Sequence, residues 1–150
     1  FRSNICCMPE ILKPSYNNLM EKLKIFYDGK CRLCYREVYH YAKIDKNNRL
    51  ALIDISDQKF AAKDYNLSDQ EVQLHLHVQD EKGQYFKGVD AFIEIWKRLP
   101  QYRFLIPIFN NGLLKPGWKI AYNLFAKHIR PKLPKRNCID GACSINHPNA

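Results

Sequence analysis

Two cysteines with two residues between them, Cys31-Arg32-Leu33-Cys34, stand where an apolar run gives way to a helical pattern. The run Lys24-Ile25-Phe26-Tyr27 reads as a short buried strand, and Asp28-Gly29 ends it as a turn. From Cys31 to Ile44 the spacing is helical, with Cys31, Cys34, Val38 and Tyr41 on one face. A polar turn at 45–48 leads into a second apolar run, Leu50 to Ile55, where Leu50, Leu52 and Asp54 alternate with Ala51, Ile53 and Ile55. One helix between two strands implies a parallel pair with a crossover connection. Any fold for this chain must therefore carry the cysteine pair at the start of that crossover helix.

The remainder extends the pattern. Asp57 to Tyr65 is expected to be a short helix. Leu74 to Val78 alternates, with Leu74, Leu76 and Val78 on one face and His75 and His77 on the other, and is expected to be a strand. Asp80-Glu81-Lys82-Gly83 is a hairpin turn, and Gln84 to Lys87 is the returning strand. Val89, Phe92, Ile93, Trp96 and Leu99 form an amphipathic helical stripe that Pro100 ends. A last helix runs from Gly112 or Pro116 to Arg130, with Trp118, Tyr122, Phe125 and Ile129 at core spacing. The expected order is β-α-β-α-β-β-α with additional C-terminal helices: an α/β chain with a mixed sheet, covered on both faces, in the thioredoxin-like arrangement. Residues 1–21 read as an irregular leader broken by Pro9 and Pro14, 22–131 as the folded domain, and 132–150 as a basic tail with a second cysteine pair.

The position of the first pair carries its chemistry. A helix N-terminus presents unpaired N–H groups and a partial positive charge, and both favour thiolate over thiol. Cys31 is expected to have a lowered pKa, with Arg32 as a modulating cation. Cys34, one turn deeper, is expected to complete a dithiol capable of exchange with a disulfide. Asp28 allows two readings, a carboxylate that relays a cysteine proton or orients the loop, and a turn residue before Gly29.

The string Asp28-x-x-Cys31-x-Leu33-Cys34 resembles the signature of the DCC family of predicted thiol–disulfide oxidoreductases. Gly88-Val89-Asp90-Ala91-Phe92 is similar to the Gly-x-x-Ala segment that opens a later helix there, and the likeness spans roughly residues 22 to 143. The resemblance implies a thioredoxin-like fold and thiol redox activity, and for a dithiol exchanger no bound cofactor is expected. Thioredoxins proper carry a cis-proline before the third strand, whereas this chain has Glu71-Val72-Gln73, so its substrate docking is expected to differ.

The other candidates are plainer. Cys138 and Cys143 flank Asp140-Gly141, a turn that brings them together as a second redox pair, a structural disulfide or tail thiols. Joining Cys31, Cys34, Cys138 and Cys143 in a zinc site departs from compact zinc-knuckle spacing, so no metal is expected. Cys6 and Cys7 read as incidental thiols, and His75 with His77 as a polar strand face. The formal net charge of +9 permits acidic partners. The basic stretch from Lys115 to Arg136 lacks an exposed aromatic platform, so no specific nucleic acid is expected. No secretory signal or membrane-spanning run is recognisable, which points to the cytoplasm. The expected partners are a protein or small-molecule disulfide and an external thiol reductant or oxidant. The rival readings are a cysteine-ligated zinc module and a non-catalytic adaptor docking through its basic C-terminal face.

Overall fold

The computed structural model describes residues 22–135. Its organising element is β1, Leu23–Tyr27, which apart from Lys24 is apolar and buried on both faces. Side chains alternate along a strand. Leu23, Ile25 and Tyr27 therefore enter one core with Val38, Tyr41, Ala91, Ile95, Trp96 and Leu99. Phe26 points the other way, into a smaller core with Ala62 and Val72, where its ring meets Tyr65 edge-on at 5.0 Å. Fully burying such a side chain contributes roughly 1.5–3 kcal/mol.

The four-stranded sheet has the order β2-β1-β3-β4, with β2 at Leu50–Asp54, β3 at His77–Gln79 and β4 at Tyr85–Lys87. β1 pairs parallel to β2 and antiparallel to β3, so Ile25 faces Leu52 on one side and Val78 on the other. The sheet is mixed, as expected, and the architecture is compatible with the thioredoxin-like fold. Helix α1, Arg32–Ile44, crosses between β1 and β2 and buries Val38, Tyr41 and Ala42. Asp45 stops it and steers the chain back: its Oδ1 accepts the Arg49 N–H at 3.0 Å and its Oδ2 the Leu50 N–H at 2.8 Å. The hairpin between β3 and β4 closes on Asp80, whose Oδ1 accepts from the N–H groups of Lys82 and Gln84, and Gly83 takes the positive φ of +83° that the turn requires.

Two expected boundaries are corrected. Leu74 does not begin a strand; it ends helix α2, Asp69–Leu74, and β3 starts only at His77. Ser68-Asp69-Gln70-Glu71 has a helix-start composition, with two acids in the first turn, and this outweighs the alternation of Leu74, Leu76 and Val78. The stretch Asp57 to Tyr65 yields only a 3₁₀ turn at Ala62–Tyr65. His77 is not on a polar face either, for it is buried, and its Nδ1 lies 3.0 Å from the His75 carbonyl.

Helix α3, Val89–Arg98, lies in the main core. Beyond it come a 3₁₀ segment, Pro100–Leu105, and the short α4, Ile106–Phe109. Helix α5, Lys115–Leu124, then runs into a π turn at Phe125–Ile129 and a 3₁₀ turn at Arg130–Lys132. Trp118 and Ile129, expected in the core, are 37% and 51% exposed. The docking residue of this region is Tyr122: its hydroxyl accepts the Leu76 N–H at 2.9 Å, and its ring packs on Gly88. Gly88, at φ +61°, has no Cβ, and one placed there would come within 3.0 Å of that ring. Lys115 and Lys119 both ion-pair with Asp90 of α3 at 2.7 Å, so part of the expected basic face is spent on holding α5 in place.

Asp45→Ala removes two acceptors and leaves the Leu50 N–H buried without a partner. The expected loss is about 1–3 kcal/mol, read as a lower urea midpoint with an unchanged m-value.

Candidate active site

The loop that delivers the cysteines is fixed before the helix begins. Asp28 Oδ1 accepts the Lys30 N–H at 2.9 Å, and the Cys31 N–H bonds the Asp28 carbonyl at 3.1 Å. These two bonds close a turn on Asp28 ahead of the helix. From the end of β2, buried Asp54 reaches across: its Oδ1 accepts the Gly29 N–H at 2.9 Å and the Ser56 N–H and hydroxyl at 2.8 and 2.6 Å. The approach is so close that a Cβ on Gly29 would lie 2.1 Å from Asp54 Oδ2. Any side chain at position 29 must therefore displace the Asp54 carboxylate or the loop it holds.

Cys31 is the N-cap of α1, and its Sγ accepts the Cys34 N–H at 3.3 Å. A sulfur takes the place usually held by a serine or aspartate oxygen. It is 6% exposed. Its pKa falls from 9.0 to about 6: interaction with the Cys34 thiol lowers it most, burial opposes, and the Cys34 N–H and the Arg130 guanidinium add to the lowering. The Asp28 carboxylate acts in the opposite sense. The Cys34 thiol is pushed far up, first by its interaction with the Cys31 sulfur and then by burial. Both cysteines are free thiols, and their environments drive one toward thiolate and the other toward thiol.

Arg32, the expected modulating cation, has an exposed side chain, while the guanidinium that lowers both thiols' pKa values belongs to Arg130. Arg130 arrives from the far end of the chain, through the docking of Tyr122 and the turn after α5. Proximity to a cysteine in sequence could not reveal it. Glu37 was also missed. It lies one turn beyond Cys34 and lines a small cavity with Cys34, Tyr41, Tyr122 and Arg130. Burial raises its pKa, a bond from the Tyr41 hydroxyl at 2.9 Å lowers it, and the Cys31 charge raises it. The Tyr41 oxygen in turn accepts the Trp96 indole N–H at 3.2 Å, which fixes the carboxyl through the core. The available signal was the Cys34, Glu37, Tyr41 spacing on one helical face.

The C-terminal segment returns to the same place, where Lys135 forms an isolated antiparallel bridge with Cys31. Gln73 and Leu74, at the end of α2, line the cavity beside Cys31. Cys138 and Cys143 lie outside the described residues, as do Cys6 and Cys7. Among the described residues, no group of three His, Cys, Asp or Glu side chains is arranged to hold a metal ion, and no helix is long and apolar enough to cross a membrane.

A sulfur at a helix start held toward thiolate, beside a partner thiol held toward its protonated form, is an arrangement suited to dithiol exchange. Residues 25–136 match the family model described as DCC1-like thiol-disulfide oxidoreductase, and the chain belongs to that family. It is 31% identical over 112 residues to an uncharacterized chloroplastic protein of Arabidopsis thaliana, a match covering 71% of this chain and 50% of the relative. The match thus takes in about half the length of that relative. No solved structure matches the chain.

The unequal thiols give a direct expectation. In the reduced protein, the alkylation rate of Cys31, followed by peptide mass spectrometry, should rise with a midpoint near pH 6. Arg130→Gln should move that midpoint upward. Because the folded value lies below the ordinary 9.0, the reduced form should gain stability as pH rises from about 6 to about 9 and lose it as pH falls through 6. Urea midpoints across that range check the sign.

Proposed function

We propose that this chain exchanges dithiols with disulfides, with Cys31 as nucleophile and Cys34 as resolving thiol. The observation that carries this reading is the Cys31 sulfur capping α1 on the Cys34 N–H, with its pKa lowered to about 6. At neutral pH Cys31 is largely thiolate, the form that attacks disulfides. The attack forms a mixed disulfide and releases one thiolate of the substrate. Cys34 then displaces the second substrate sulfur from Cys31 and closes the Cys31–Cys34 disulfide. An external thiol reductant reopens the pair, and an external oxidant drives the reverse reaction.

Cys34 must lose its proton when it attacks, although its surroundings hold that proton tightly. We assign the acceptor role to Glu37, in the same cavity and already bonded to Tyr41. Its raised pKa brings a carboxyl nearer to neutral pH, which suits proton exchange with a thiol. Asp28 holds the loop and sets the charge balance of the two sulfurs.

The Cys31–Lys135 bridge favours a second step. Cys138 follows three positions after Lys135, and three residues of chain span at most about 10 Å. The pair Cys138–Cys143 is therefore proposed to exchange with Cys31–Cys34. The chloroplast in the plant relative's name sets an organelle beside the cytoplasm as the compartment, and imaging of the full-length tagged protein decides between them.

Redox titration with mass-spectrometric thiol counting tests the central claim. Cys31 and Cys34 should oxidise together as one two-electron couple within roughly −120 to −280 mV. Independent oxidation, or masking of both thiols by zinc at one equivalent, would sink it. Cys34→Ser should accumulate the mixed disulfide on Cys31, and Cys31→Ser should form none. Glu37→Gln should slow closure of the Cys31–Cys34 disulfide by about tenfold or more where Glu37 is ionised, with the loss shrinking as pH falls through the Glu37 pKa, while leaving the first attack intact.

A further inference from the structure

A cavity of about 490 Å³ opens beside Cys31. Its lining brings together three cationic side chains, Lys30, Arg130 and Lys135, against a single carboxylate, Asp28. Elsewhere the cations that converge are matched by acids: Lys115 and Lys119 share Asp90, and Arg98 pairs with Glu81 and Glu94. The three at the cavity form no ion pair among the described residues. Its volume falls within the range of small-ligand sites, about 300–1,000 Å³. Cys31 is 6% exposed and lines this cavity, which favours a disulfide small enough to enter it.

Resting on the dithiol reading above, we propose that the substrate is a low-molecular-weight disulfide bearing carboxylates, bound through Lys30, Arg130 and Lys135. The Cys31 thiolate attacks one substrate sulfur, the substrate S–S bond breaks, and one small thiolate leaves. Cys34 gives its proton to Glu37 and attacks the Cys31 sulfur, and the second small thiolate leaves. Two electrons pass from the protein dithiol to the small disulfide, yielding two anionic thiols and the Cys31–Cys34 disulfide. The reverse sequence reduces the protein.

The test uses the fully reduced full-length chain and follows Cys31–Cys34 oxidation by peptide mass spectrometry. The probes are glutathione disulfide (anionic), hydroxyethyl disulfide (neutral) and cystamine (cationic). Each rate is divided by that probe's rate with a neutral reference thiol, which removes intrinsic reactivity. Glutathione disulfide should exceed cystamine by about tenfold or more at low salt, and the ratio should shrink as salt is added. Lys30→Gln combined with Lys135→Gln should bring the ratio toward one. A ratio of one or less, or one that the double variant leaves unchanged, overturns the proposal. So does faster oxidation by an acidic peptide disulfide than by glutathione disulfide. Oxidation by the neutral probe alongside any of these results leaves the dithiol reading standing, whereas no oxidation by any probe removes both.

Discussion

Everything specific about this protein depends on a sulfur occupying a helix cap. The first turn of α1 has N–H groups without intrahelical partners, and Cys31 Sγ accepts one of them from Cys34. The same contact defines the helix start, stabilises negative charge on one cysteine and ties it to the other. The loop before it leaves the cap little freedom: the Asp28 side chain bonds Lys30, and Asp54 grips the Gly29 N–H from the end of β2. The parallel register that sets Tyr27 opposite Asp54 makes that grip possible.

The contact between the two cysteines sets their difference first, and their surroundings adjust it. Cys31 is at the N-cap, beside a cavity and within the field of Arg130, whereas Cys34 is one turn further in, facing Glu37 and the Tyr41–Trp96 network. Each thiol shifts the other, so the pair behaves as one titrating unit with one proton held loosely and one held tightly. Arg130 borders both cavities, and its charge favours the thiolate in either position.

That arginine depends on distant packing. Tyr122 seats the C-terminal helix by accepting the Leu76 N–H and lying flush on Gly88, and Asp90 holds Lys115 and Lys119. The chain then unwinds through a π turn and a 3₁₀ turn before Lys135 pairs with Cys31. The segment that closes the fold thus also furnishes part of the site.

The sequence by itself determined the strand–turn–helix unit, the placement of Cys31 and Cys34 at its helix start, the hairpin at Asp80 to Gly83 and the α3 stripe. Those features are local: apolar period, turn residues and helix-start position act over a few residues. Leu74 was misread because one segment satisfied both a strand alternation and a helix ending, and the helix-start composition at Ser68 to Glu71 prevailed. Trp118 and Ile129 were misread because helical spacing says which residues share a face and not whether anything packs against it. The approach of Arg130, the cavity shared by Cys34 and Glu37, and the convergence of Lys30, Arg130 and Lys135 were decided by tertiary structure alone. Charges act through space, and no local pattern records which distant charge will arrive beside a given thiol.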